Sequence, residues 1–110
     1  MNSSLKRQLL RTFIQMIKDL KNTDEIEIFL TDFFDDTELE KYVKRISIAY
    51  WLKKGRDHEN IKRNLGATPK EIIEAGKSLK KNGIKLAIKK IEAEEFANVW
   101  AQKISRFGKK

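Results

Sequence analysis

Cysteine is missing from all 110 residues, which rules out disulfides, thiolate metal sites and a cysteine nucleophile. Histidine occurs once, at His58, and one imidazole cannot anchor a metal centre, so no metal and no cofactor is expected. With Asp57 and Glu59 beside it, His58 reads as a capping or exposed residue. Asp32, Asp35 and Asp36 lack the glycine and the ligand spacing of a calcium loop. No glycine-rich phosphate loop and no Ser/His/Asp arrangement occurs, so a catalytic reading has nothing to stand on. No apolar run approaches the length of a membrane span. The opening "MNSSLKRQLLRTF" places charges where a signal peptide needs an unbroken apolar core, so a soluble cytoplasmic protein is expected.

Proline occurs once as well, and the chain is rich in Leu, Ile, Lys and Glu. That composition points to an all-α fold and, at this length, to one domain spanning residues 1–110. A domain so small buries a limited share of its surface, and oligomerisation is the expected supplement. The net charge of +8 is unevenly spread: residues 1–40 carry −4 and residues 41–110 carry +12. A basic remainder behind an acidic first third fits an anionic partner, nucleic acid ahead of membrane. Lysine outnumbers arginine 18 to 6, however, and a compositionally biased genome produces the same excess as ordinary solvated surface.

"SLKRQLLRTFIQMIKDL" aligns Leu5, Leu9, Phe13, Ile17 and Leu20 on one helical stripe, and Leu10, Ile14 and Met16 widen it enough for two neighbours. Asn22, Thr23 and Asp24 interrupt and recap. "DEIEIFLTDFF" then reads as a short helix with Ile26, Phe29, Leu30 and Phe33 inward. Its alternation could mimic a strand, but no second strand is available to pair with it. Asp35 and Glu38 form a capping box for a third helix on which Leu39, Tyr42, Val43, Ile46, Ala49 and Leu52 recur until Gly55. Trp51 and Trp100 read as core or interface anchors.

"DHENIKRNL" gives a helix of about two turns carrying Ile61 and Leu65, and Gly66 supplies the left-handed residue that ends it. Thr68 then reads as an N-cap, Pro69 as the first helical residue and Glu71 as the closing member of a capping box. In the new helix Ile72, Ala75, Gly76 and Leu79 share one face, with Gly76 allowing a close helix approach, while Lys70, Glu74, Lys77 and Lys81 face the other way. Over residues 57–81 this is how a helix-turn-helix presents its second helix to the major groove, and it is also how an ordinary corner of two helices looks. After Asn82 and Gly83 a last helix carries Ile84, Ala87, Ile88 and Ile91 on one face. It continues through Phe96, Val99, Trp100 and Ile104 in an extension over residues 92–107, with "RFGKK" as a frayed tail.

"ELEKYVKRISIAYWLKKG", the Ile61 that follows, and "LGATPKEIIEAGKSLKKNG" together resemble the Trp repressor superfamily, especially its wider Trp-repressor-like branch. The similarity runs from about Phe13 to Ile91. It implies an intertwined, all-helical homodimer in which a helix-turn-helix from each subunit meets double-stranded DNA; the lack of a long apolar run leaves no membrane expected. That arrangement would explain the over-wide stripe on the first helix. In tryptophan-responsive members two arginines sandwich the ligand. Arg45 matches the first, but Glu74 stands at the second, and one carboxylate facing another opposes binding. A regulator of transcription not gated by tryptophan is therefore expected. The resemblance places Thr68, Pro69, Lys70, Glu71, Ile73 and Glu74 at the DNA. Lys62, Arg63, Lys70, Lys77 and Lys80 suit phosphates, whereas Glu71 and Glu74 oppose them. Glutamate can accept from cytosine N4, but no arginine stands on this helix to read guanine. The competing reading keeps the fold as a protein-interaction module without sequence-specific DNA binding. With its partner arginine replaced by Glu74, Arg45 reads as a helix-surface residue paired with a carboxylate such as Glu38 and not as a ligand-binding group.

Overall fold

A computed structural model describes the backbone of residues 1–108 and the side chains of residues 1–95. Among these residues all regular structure is helical, in the order α1 (Ser3–Lys18), α2 (Thr23–Phe33), α3 (Asp36–Lys53), α4 (His58–Leu65), α5 (Pro69–Ser78) and α6 (Asn82–Gly108). The alternating "EIEIFL" lies inside α2, as expected of a strand-like segment with no strand to pair with. The chain divides into two compact units, Met1–Lys41 and Tyr42–Lys110.

In the first unit the caps form but a core does not. Asn2 accepts the Leu5 N–H at 2.8 Å to start α1, and Asn22 accepts the Glu25 N–H at 3.0 Å to start α2. Asp35 and Glu38 make the expected reciprocal box at the head of α3, at 2.8 and 3.1 Å. Yet α1 and α2 contain no buried residue. Phe13 meets Phe29 and Phe33 at ring separations of 6.3 and 6.0 Å, and Phe29 stacks on Phe33 at 5.1 Å. Phe29 and Leu30 become half-buried, but Ile26 and Phe33, expected inward, stay exposed. Two helices alone have no third layer to close over a stripe this wide, and Leu9, Leu10, Ile14 and Ile17 are exposed with them.

The second unit holds the core. Ile48, Ala49 and Tyr50 of α3, Ile61 of α4, Ala67 of the turn, Ile72 and Ala75 of α5, and Ile88 of α6 are all buried. The three consecutive α3 residues span about 200° of helix circumference, so the end of this helix is enclosed on more than one side. That explains the departures from the single face expected of α3. Ile48 and Tyr50 join the core, whereas Tyr42 and Val43 are 42% and 54% exposed. Helix α3 ends in a Schellman motif: Gly55 has φ +86°, its N–H reaches the Leu52 carbonyl at 3.0 Å, and the Arg56 N–H reaches that of Trp51 at 3.1 Å. Trp51 packs against the core half-buried, with the Arg56 guanidinium 4.0 Å from its ring centre. Trp100 lies outside the residues whose side chains are described, as do Phe96, Val99 and Ile104.

Helix α6 is continuous to Gly108, with no break before the extension. Its inner face is the expected one: Ile88 is buried, and Ile84 and Ile91 pack half-buried against the core. Two polar links tie it to α3 and to the residue that follows that helix. The Tyr50 hydroxyl donates to Glu95, and Lys54 pairs with Glu92 at 3.5 Å. Burial first, and then the Glu95 carboxylate, push the Tyr50 hydroxyl up to about 12.

Candidate nucleic-acid interface

The site is built by two helix ends and the turn between them. Asp57 caps α4 by accepting the Asn60 N–H at 2.7 Å, and His58 is simply the first, exposed residue of that helix. Two turns later Gly66 takes φ +61°, a conformation that costs L-residues, which carry a Cβ, about 1–2 kcal/mol. The chain then reverses through Ala67, 3% exposed and directed into the core, which fixes the corner from below. Thr68 restarts the helix. Its hydroxyl accepts the Glu71 N–H at 3.1 Å, its own N–H donates to Glu71 Oε1 at 2.9 Å, and Pro69 fills the first helical position.

Behind this corner Ile61, Ile72 and Ala75 are buried, which decides what the rest of α5 presents outward. Lys70, Ile73, Glu74 and Lys77 are exposed at spacings of three and four, so they share one outer face. Ile73 is 56% exposed, unusual for isoleucine on a short helix whose other face is core. Lys62, Arg63 and Lys80 are exposed as well. Gly76 lies opposite Leu52 of α3, but a Cβ there would meet Leu52 Cδ1 at 3.8 Å, an ordinary contact. The close approach expected at Gly76 is therefore not tight enough to demand glycine.

Glu71 does not face outward as a free carboxylate. Besides its bond to Thr68, its Oε1 lies 3.1 Å from Lys44 Nζ on α3, with the two side chains 34% and 25% exposed. The Thr68 N–H, and after it Lys44, hold the Glu71 carboxyl below the usual carboxylate range. Lys44 carried no signal in the sequence. It is one lysine among eighteen, and its partner stands 27 positions away on another helix. The same bonds restrict the head of α5 as a phosphate seat. Pro69 has no N–H, those of Glu71 and Ile72 are taken by Thr68, and Lys70 retains the one first-turn N–H with no bond among the described residues.

Arg45 lies 5.5 Å from the centre of the Tyr42 ring, one turn back on α3. The pairing with Glu38 expected for it is not formed among the described residues: the two stand seven positions, about two turns, apart on α3. Glu74 is exposed and has no ion pair among the described residues. Among the described residues no group of three or more His, Asp or Glu side chains is placed to hold a metal ion, and no helix is long and apolar enough to cross a membrane.

The sequence profile of the family described as "Trp repressor protein" matches residues 8–97. The chain belongs to the Trp repressor family. The match covers both compact units, from α1 into α6, and not the corner alone. Searches of curated proteins and of solved structures return no match. Trp repressor membership carries the general reading of a helix-turn-helix DNA-binding regulator. In this member the corner is α4–Gly66–Ala67–Thr68–α5, and the outward helix is α5.

Proposed function

We propose that this protein is a transcriptional regulator of the cytoplasm that binds double-stranded DNA as an intertwined homodimer and does not use tryptophan as its gate. The observation that carries the DNA reading is the corner itself. A left-handed glycine, a restart closed by a capping box and a buried inner face leave one outer surface of α5, bearing Lys70, Ile73, Glu74 and Lys77. Lys62, Arg63, Lys70, Lys77 and Lys80 neutralise phosphates, and Ile73 supplies an apolar contact of the kind a thymine methyl accepts. Thr68, Pro69 and Glu71 act chiefly by fixing the head of the helix, because their polar groups are already bonded to one another and to Lys44. Residues 1–110 form one domain in the dimer. The first unit has no core of its own, and a second copy covers the exposed apolar residues of α1 and α2.

Against tryptophan gating stands the chemistry at two positions. Arg45 is laid over Tyr42, and Glu74 brings negative charge where a ligand carboxylate would need a cation. One observation favours the competing protein-interaction reading: Glu74 is the exposed acid on α5, beside an exposed Ile73 and without an arginine. Fluorescence anisotropy with random duplex DNA separates the two. A DNA-binding regulator gives salt-sensitive affinity, whereas an interaction module gives none.

A further inference from the structure

Within the second unit a cavity of about 490 Å³ opens between the end of α3, the end of α5 and α6, lined by Lys53, Leu79, Lys85, Ile88, Lys89 and Glu92. It lies apart from the outer face of α5. Its size is within the range of small-molecule sites, and its wall combines apolar surface with a few charged groups, as such sites do. Leu79 and the aliphatic stems of the lysines give the apolar part, over a floor set by the buried Ile88. Lys53, Lys85 and Lys89 are exposed, and no side-chain hydrogen bond or ion pair holds their ammonium groups among the described residues. The acid in the lining, Glu92, is held by Lys54 at 3.5 Å, so its charge is largely offset.

We propose that this cavity binds a small carboxylate with an apolar body, an acyl or aryl acid. The apolar wall excludes a strongly hydrated ion such as free phosphate as the best occupant, since that ion would lose water and gain no contact with Leu79 or Ile88. A neutral apolar molecule would leave three ammonium groups unused. An acid with an apolar body satisfies both, placing its hydrocarbon on Leu79 and Ile88 and its carboxylate among the lysines. The proposal is independent of whether α5 meets DNA.

Octanoate and octan-1-ol, equal in chain length and different in charge, are the probes. Methyl NMR of the full chain should show saturable shifts at Ile88 and Leu79 with octanoate, with a Kd on the order of a millimolar or tighter for so small a molecule. Octan-1-ol should bind the same methyls roughly fivefold or more weakly. Changing Lys85→Gln and Lys89→Gln together should weaken octanoate by roughly fivefold and leave octan-1-ol unaltered, and both lysines are exposed, so the fold should persist. Equal affinity for acid and alcohol, octanoate shifts confined to α1 and α2 methyls such as those of Leu9 and Ile14, or an unaltered octanoate Kd in the double variant would each overturn the proposal.

Discussion

Replacing Lys44 and Glu71 singly and together tests how the head of α5 is held. The contact is a 3.1 Å ion pair, about one-quarter to one-third exposed, whose carboxylate also accepts the Thr68 N–H at 2.9 Å. Glu71→Gln keeps an amide oxygen for Thr68 and removes the charge. Lys44→Met keeps the stem and removes the ammonium. For a pair this open to water the coupling is expected at about 0.5–1 kcal/mol, the upper part of the range for solvent-accessible pairs, since the carboxylate is already oriented by Thr68. Urea unfolding followed by circular dichroism, at one fixed protein concentration, measures it. The pH dependence has a definite sign. Because the folded state holds the Glu71 carboxyl below its ordinary value, its contribution is complete above the unfolded value of about 4.3 and is lost as pH falls through the lower, folded value. The acid loss should therefore be shallower in Glu71→Gln. A coupling of zero, or an acid limb identical in both proteins, would refute the clamp.

Four further outcomes follow from the same geometry. Gly66→Ala should destabilise by about 1–2 kcal/mol because φ is +61°, whereas Gly76→Ala should be neutral or stabilising by up to about 1 kcal/mol; thermal unfolding of both variants decides. Ile61→Ala, at a fully buried site, should cost about 2–5 kcal/mol in urea titration. Ultraviolet titration should show a tyrosine ionising at about 12 that disappears in Tyr50→Phe; since the folded state raises this group, its contribution persists to about pH 10 and is lost as pH rises through 12. Calorimetry with free L-tryptophan should show no saturable micromolar binding, and such binding would mean that a cation other than one at position 74 meets the carboxylate.

Local signals made most of the helices legible before any packing was known. Asn22, the Asp35/Glu38 box, Gly55, Gly66, and the Thr68–Pro69–Glu71 restart are all decided by residues within a few positions of one another, and the structure has each of them. Burial was less legible where it depends on neighbours far along the chain. The stripe of α3 gave no hint that Ile48 and Tyr50 would be enclosed, because α4, α5 and α6 decide that together. The apolar face of α1 reads as too wide for one partner helix, and Leu9, Leu10, Ile14 and Ile17 stay exposed; what covers them is not written in the local pattern. At the candidate interface the outward lysines followed from helical spacing. The turning of Glu71 onto Lys44 did not, since a charge in sequence does not reveal which distant partner it will meet.

The central claim is that the outer face of α5 meets the DNA backbone, and a salt series on Lys70→Ala tests it most directly. Anisotropy of a labelled random duplex should give an affinity that falls steeply with salt for the wild type. If all five basic residues of a subunit meet phosphates, log K against log salt should have a slope of about −4 to −5 per subunit. Lys70→Ala should weaken binding to every sequence alike and flatten that slope by about one unit per subunit. A wild-type protein that ignores DNA at low salt, or a Lys70→Ala variant with unaltered affinity and slope, would contradict the account, and the turn at Gly66 would be only a corner between helices.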